Sequence, residues 1–174
     1  CIRDSYSYLH RTLNTLDGLD FALLYYGDRF FPHRTEPGDR TLYVEGTLGR
    51  DTVGLLLVRD RRMLPWIIGE LREERPQVRL LVAGSVTPRD AARWGLHDAT
   101  ARAEEAGRGT VRSGGRWVMR DRILADPRLE ASRGDVYARR WLVDPSTGDP
   151  LRTIDRQRYG DGYGASLPVF VYIR

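Results

Sequence analysis

The segment TLYVEGTLGRDTVGLLLV, at residues 41–58, decides the fold class of this chain. Its first eight residues alternate apolar and polar side chains, which is typical of a half-buried strand. Residues 49–51 have the length and composition of a hairpin turn. Residues 52–58 are almost continuously apolar, as in a strand at the centre of a sheet covered on both faces. The segment therefore predicts two adjacent strands of a sheet with a substantial core.

The flanking sequence adds further strands and at least two helices. Residues 64–74 place Ile67, Ile68 and Leu71 on one helical face, and Pro76 follows where a helix cannot continue. A shorter helix is predicted at 88–94, with loops at 100–115 and 144–164. Apolar runs bounded by turn residues predict strands at 20–26, 30–31, 78–83, 118–124, 136–143 and 167–173. About seven strands and two or three helices indicate an α/β fold.

Composition excludes several classes of protein. The 174 residues carry 28 basic and 24 acidic side chains and a net charge of +4, too small by itself to indicate a nucleic-acid binder. All the basic residues are arginine, which we attribute to codon bias. A single cysteine excludes an intrachain disulfide and a multi-cysteine zinc site. No apolar run approaches the roughly 18 residues needed to span a membrane, so we expect no span.

Five segments in order resemble the endonuclease/exonuclease/phosphatase superfamily, particularly its bacterial members. DGLDFALLY at 17–25 is similar to the family's Arg-Gly-Ile-Asp-Val-Ala-Leu-Leu-Tyr stretch, and residues 42–58 resemble its next two strands. Gly84 stands where the family has Gly-Asp-Phe-Asn. WVMRDRIL at 117–124 resembles its Trp-x-Met-Leu-Asp-x-Ile strand, and GYGASLPV at 162–169 resembles its terminal Gly-Tyr-Ser-Asp-His-Leu-Pro-Val. Each match is weak alone, but their shared order is specific.

The resemblance implies a four-layer α/β sandwich of two facing mixed sheets and Mg²⁺-dependent cleavage of phosphate esters. The family's metal-binding glutamate and first asparagine precede the first matched strand. We therefore expect residues 1–174 to form a single domain, the C-terminal two-thirds of the family fold, with the N-terminal part missing. Cys1 in first position is in keeping with a fragment.

The family's reactive positions hold other residue types here. Ser85 and Thr87 stand at the aspartate and asparagine of Gly-Asp-x-Asn, and Ala165 and Ser166 stand at the terminal Asp-His pair. The family's phosphate-contacting histidine falls at Asp60, and its arginine of the Arg-Gly pair falls at Asp17. Asp121 is retained, and in the family this aspartate orients the catalytic histidine.

Phosphoryl transfer depends on positioned charge, and losing one such group commonly costs about 10²–10³ in rate. A serine cannot replace a carboxylate as a ligand for a hard divalent cation. With Ser166 at the histidine position, Asp121 has no imidazole to orient. The first hypothesis is therefore a catalytically degenerate domain with no cofactor, retained for binding or as part of a larger protein.

A second hypothesis is an active Mg²⁺-dependent phosphodiesterase, nuclease or phosphatase with relocated ligands. Asp20, Asp121 and Asp161 are its metal-ligand candidates, since they lie near strand ends or loops.

A third hypothesis is a module that binds a phosphate-containing ligand or a nucleic acid through an arginine rim. Arg59, Arg61, Arg62 and Arg120 are its phosphate-binding candidates, and Arg122 lies on the same predicted strand as Arg120. A protein partner, or the chain's own N-terminal segment, would complete the sheets and cover an exposed strand edge.

Overall fold

A computed structural model describes residues 20–25, 41–58, 61–131, 133–150 and 166–173. The chain divides into two compact units, Cys1–Leu81 and Val82–Arg174. The boundary falls within the strand β4 (Arg79–Gly84). The single domain expected over residues 1–174 stays a prediction. The short strand expected at 30–31 lies outside the described residues.

The first unit contains the hairpin predicted from residues 41–58. Strand β2 (Thr41–Leu48) pairs antiparallel with β3 (Asp51–Val58) in unbroken register, and β1 (Asp20–Tyr25) pairs antiparallel with the other edge of β2. Gly49 has φ 62°, a left-handed conformation that the tight turn needs and that glycine adopts without strain. Every residue of β3 is buried or half-buried, which confirms the prediction of a strand covered on both faces.

The interior face of β2 is polar. Tyr43 and Glu45 are 1% and 2% exposed, and the Tyr43 hydroxyl donates a 2.7 Å hydrogen bond to Glu45 Oε1. Arg75 donates to Glu45 Oε2 and neutralises its charge. A Cβ at Gly54 would lie 2.6 Å from the Tyr43 hydroxyl, so only glycine fits there without displacing the ring. Simple alternation assigns Tyr43 and Glu45 to the solvent face, but both are buried, because their polar atoms have hydrogen-bond partners inside the fold.

Helix α1 (Leu64–Glu74) confirms the predicted amphipathic helix. Its buried face consists of Leu64, Ile67, Ile68 and Leu71, and a single 3₁₀ turn, Arg61–Met63, precedes it. The amide of Arg75 extends the last turn by donating to the Leu71 carbonyl at 2.9 Å. No helix in the described part of the chain is long and apolar enough to cross a membrane.

The described residues of the second unit form two helices and short paired strands around their own core. Its helices are α2 (Pro88–Trp94) and α3 (Ala101–Glu105). Its antiparallel pairs are β5 (His97–Asp98) with β8 (Arg122–Ala125), β6 (Val111–Ser113) with β7 (Arg116–Val118), and β9 (Asp135–Val136) with β10 (Val169–Phe170). The core includes Ala103, Met119, Val136, Leu142 and Leu167.

Several predicted boundaries in this unit are wrong. The loop expected at 100–115 contains α3 and β6, and the strand expected at 118–124 is divided between β7 and β8. The strand expected at 136–143 is β9 followed by a 3₁₀ turn, Arg140–Leu142, and the last strand shortens to Val169–Phe170. These strands are two to four residues long and pair with segments distant in the chain or across a tight turn, which local sequence patterns record poorly.

Candidate functional site

Ser85 lies at a tight turn that follows β4. Gly84 has φ 127°, and the Val86 amide donates a 2.8 Å hydrogen bond back to the Gly84 carbonyl. The Val86 side chain is 2% exposed and anchors the turn, while Ser85 and Thr87 on either side are half-buried. The turn therefore presents hydroxyl groups at the positions where the family has a carboxylate and an amide.

Thr87 acts as the N-cap of α2. The Asp90 amide donates to Thr87 Oγ1 at 3.3 Å, and Asp90 Oδ2 accepts from the Thr87 amide at 2.8 Å and from the Thr87 hydroxyl at 2.7 Å. This reciprocal arrangement is a capping box, which satisfies amides that the first helical turn leaves without partners. The Thr87 side chain and the Asp90 carboxylate are thus engaged in holding the helix end.

Thr110 fixes the segment that contains Asp121 beside the C-terminal segment. Its side chain is fully buried, and Oγ1 accepts hydrogen bonds from the amides of Arg120 and Asp121 at 3.1 and 3.2 Å. The Thr110 carbonyl accepts from the Leu167 amide at 2.7 Å. One buried threonine therefore brings the retained aspartate and the segment with Ser166 to the same place.

The exposed guanidinium of Arg120 donates from Nη2 to Ser166 Oγ at 3.2 Å. The structure thus joins two of the residues singled out from the sequence. Asp121, next to Arg120, is half-buried, and its carboxylate has no hydrogen-bond or ion-pair partner among the described residues. Arg120 therefore contacts Ser166 at the place where the resemblance predicts an aspartate–histidine pair.

Arg122, in contrast, is buried within a polar network. Its side chain is 5% exposed and donates to Asp98 Oδ2 at 2.7 Å and to Glu104 Oε1 at 2.6 Å. Burial alone would lower the pKa of Arg122, but the hydrogen bonds to Glu104 and Asp98 outweigh it and raise that pKa. Thr100, fully buried, donates both its amide and its hydroxyl to Asp98 Oδ1. Although Arg122 follows Arg120 closely in the chain, its guanidinium is thus occupied by two carboxylates.

The remaining predicted residues are distributed as follows. Arg61 and Arg62 are exposed in the 3₁₀ turn of the first unit. Asp20 begins β1. The positions outside the described residues are Asp17, Arg59, Asp60, Asp161 and Ala165.

The described residues around Ser166 offer few ligands for a divalent cation. No cluster of three or more histidine, cysteine, aspartate or glutamate side chains occurs among them. The polar groups at Ser166 are its own hydroxyl and the guanidinium of Arg120. The positive charge of the guanidinium repels a cation. The half-buried Asp121 would supply a single carboxylate. We therefore derive no step of chemistry through Mg²⁺.

Comparison with solved structures identifies the class of fold. TDP2 of D. rerio, humanized by 14 mutations, superposes with a TM-score of 0.56 and 12% identity over 90% of this chain and 68% of that protein. The D. rerio protein complexed with a single-strand DNA product gives 0.54 and 11%, and truncated Caenorhabditis elegans TDP2 gives 0.53 and 14%, with the same coverage. No family model and no curated protein sequence matches the chain.

The chain therefore shares the fold of these TDP2 structures, and this is the fold that the resemblance of its sequence segments implies. The mixed α/β architecture with several sheets confirms the predicted α/β fold class. At 11–14% identity this likeness concerns the fold, and the chemistry has to be argued from the residues of this chain.

Proposed function

We propose that this chain is a catalytically degenerate domain of the superfamily fold, which binds a phosphate-containing ligand and does not hydrolyse it. The observation that carries the proposal is the contact between Arg120 and Ser166, where the resemblance predicts a catalytic histidine. An arginine there supports binding of an anion, whereas hydrolysis needs a group that activates water or holds a metal ion.

The environment of Arg120 favours a phosphate oxyanion. A guanidinium carries five N–H donors, and the contact with Ser166 uses one of them. The planar fork matches two phosphate oxygens at once, and the Ser166 hydroxyl would add a further donor. The Thr110 hydrogen bonds fix the backbone beneath Arg120, so that less conformational freedom is lost when a ligand binds.

Three further features support the absence of turnover. Thr87 is engaged by the capping box, so its hydroxyl is not free to orient a nucleophile. Ser85 offers a neutral hydroxyl in place of a carboxylate. Asp121 lies beside Arg120, with no histidine among the described residues for it to orient.

The hydrolysis test uses the full chain with a generic phosphodiester and either Mg²⁺ or Mn²⁺. We expect no release of product above the buffer rate. Turnover that disappears in Asp121→Ala would overturn the proposal and support the alternative, an active phosphoric ester hydrolase with relocated ligands such as Asp20 or Asp161.

The binding test uses inorganic phosphate in a calorimetric titration. We expect Arg120→Ala to weaken binding about tenfold, which corresponds to about 1.4 kcal/mol. Arg120→Lys should recover part of the affinity, because it restores the charge without the bidentate fork. Arg102→Ala, an exposed arginine on α3, is the matched control. Equal losses at Arg120 and Arg102 would show non-specific attraction and contradict the proposal.

The arginine pair Arg61 and Arg62 is a separate binding candidate in the first unit. Both are exposed and follow one another in the 3₁₀ turn before α1. If they hold phosphates, together with Arg59, then Arg61→Ala with Arg62→Ala should weaken the binding of a nucleic acid and flatten its salt dependence. An unchanged salt slope would remove them from the site.

A further inference from the structure

The outer face of the β6–β7 hairpin carries a row of exposed side chains with an arginine at each end. Arg116 and Val118 on β7 are exposed, and so is Arg120 two residues further along the chain. The residues between them, Trp117 and Met119, pack on the core of the second unit. Exposed and buried side chains thus alternate as they do in a strand. We call Arg116, Val118 and Arg120 the stripe.

The two arginines of the stripe have no acidic partner among the described residues. The Arg116 side chain makes no hydrogen bond, ion pair or ring contact within that part of the chain. The Arg120 guanidinium donates to the neutral Ser166 hydroxyl. Neither β6 nor β7 contains an acidic residue. The stripe therefore presents two positive charges, and an exposed valine between them, without a counter-charge on its own hairpin.

The backbone edge of β7 can accept a further strand. β6 and β7 form a sheet of two strands, and no other strand within the described ranges pairs with β7. The edge of a sheet presents amides and carbonyls that pair readily with another chain. The hairpin is held in place at its turn, because Arg112 donates to the carbonyls of Gly115 and Thr147 at 2.9 and 2.6 Å. A rigid edge loses little conformational freedom when a strand is added.

Charge decides which kind of strand fits this edge. Antiparallel pairing with the β7 of a second copy would place arginine beside arginine, and like charges opposite one another destabilise a sheet. A strand with acidic side chains would pair opposite charges instead. Residues of the added strand repeat at about 3.3 Å, as those of β7 do. Arg116 and Arg120 are four positions apart, so they match acids at i and i+4, and Val118 matches an apolar residue at i+2.

We propose that the β7 edge binds an extended acidic peptide as an added strand, with acids at i and i+4 on Arg116 and Arg120 and an apolar residue at i+2 on Val118. In this mode of recognition, main-chain hydrogen bonds give affinity and alternate side chains give specificity. A nucleic acid would also supply negative charge, but its backbone has no amides or carbonyls to pair with β7. The inference goes beyond the proposed phosphate site, with which it shares Arg120.

The test is fluorescence anisotropy with the full chain and the labelled peptide Thr-Glu-Thr-Val-Thr-Glu-Thr, which reads the same in both directions, in a buffer without phosphate. The comparison peptide Thr-Thr-Glu-Glu-Val-Thr-Thr has the same composition and charge but lacks the i, i+4 spacing. We expect the spaced peptide to bind about tenfold more tightly. N-methylation of its valine and of the next threonine should remove about that factor, because one of two successive amides faces β7.

Substitutions on the stripe test the role of its side chains. Arg116→Ala should weaken binding of the spaced peptide about tenfold and leave phosphate binding at Ser166 unchanged. Val118→Asp places an acid between the two arginines and should also weaken it. The matched control is Arg102→Ala, which removes an exposed arginine on α3 outside the stripe and should change nothing. All three side chains are exposed, so the substitutions leave the core intact.

The outcomes separate this proposal from the phosphate site. A chain that binds phosphate but does not distinguish the two peptides contradicts the peptide proposal alone. A chain that prefers the spaced peptide without binding phosphate contradicts the phosphate site alone. Equal losses at Arg116 and Arg102, indifference to N-methylation, or tighter binding of an oligothymidylate that competes with the peptide for Arg116 would overturn the proposal of an acidic strand.

Discussion

Arg120 and Arg122 are two residues apart in the chain but differ in burial and in hydrogen-bond partners. Arg122 is buried and joined to Asp98 and Glu104, whereas Arg120 is exposed and contacts only the Ser166 hydroxyl among the hydrogen bonds described for its side chain. In a regular strand, the side chains of residues i and i+2 point to the same face of the sheet. They do not here, because Thr110 binds the amides of both Arg120 and Asp121 and draws that segment out of the strand before β8 begins.

The comparison shows that burial and partner number decide what an arginine does. The donors of Arg122 meet two carboxylates, so its charge stabilises the packing of α3 and β5 against β8. Those of Arg120 remain largely accessible to a ligand. Both residues are arginine, and the neighbouring backbone buries one among carboxylates and leaves the other exposed.

The largest effect is expected from Arg122→Met. Removing the cation leaves Asp98 buried with an uncompensated charge, which typically costs about 3–5 kcal/mol. Arg120→Met, in an exposed position, should stay within about 0.5 kcal/mol. Urea unfolding of both variants measures the contrast. Similar midpoints for the two would show that the Arg122 network does not stabilise the fold.

The next effect is expected from Thr110→Val. The substitution preserves shape but deletes the buried oxygen that accepts from Arg120 and Asp121, which costs about 1–3 kcal/mol. Thr110→Ser retains the oxygen and should lose much less. Because the same bonds position Arg120, Thr110→Val should also weaken phosphate binding. If a folded Thr110→Val variant binds phosphate as tightly as the native chain, Thr110 does not position Arg120 for binding.

A smaller effect is expected from Thr87→Ala. Loss of the N-cap side chain of α2 should lower the free energy of unfolding by about 1 kcal/mol. Thr87→Asn restores the family's residue and is also a good cap, so its stability should approach that of the native chain. Thermal unfolding of the pair tests whether this position serves the helix. If Thr87→Ala is neutral, the capping box contributes nothing measurable.

The smallest effect is expected from Glu70→Gln on α1. Burial, followed by repulsion from Glu74 and Glu73, raises the pKa of Glu70. A carboxyl whose pKa is higher in the folded than in the unfolded chain destabilises the fold when ionised, and this cost fades as pH falls through those values. Glu70→Gln should therefore stabilise slightly at pH 7 and not at pH 3.5. A gain of equal size at both pH values would contradict an electrostatic origin.

Much of the fold could be predicted from the sequence. The hairpin at 41–58 and the helix at 64–74 are long periodic segments, and both occur as expected. The strand at 111–113 was not predicted, and the strand predicted at 136–143 is only two residues long, at 135–136. Such short strands leave little periodicity to recognise, and they depend on partners distant in the chain.

Only part of the candidate site could be predicted from the sequence. The loss of reactive groups could be read from Ser85, Thr87 and Ser166 once the resemblance had aligned them. The pairing of Arg120 with Ser166 could not, because 46 positions separate them and the buried Thr110 brings them together. The burial of Arg122 could not either, since its partners Asp98 and Glu104 lie 24 and 18 positions away.

The sequence by itself determined the α/β class, the hairpin, the amphipathic helix and the replacement of the family's reactive side chains. These features follow from local periodicity and residue type, which depend only on residues close together in the chain. Only the tertiary structure decided that Thr87 caps a helix, that Arg120 is exposed while Arg122 is buried, and that the rings of Tyr137, Phe170 and Tyr172 meet edge to face. Those facts depend on which distant segments meet, and a side chain's burial and partners set its chemistry.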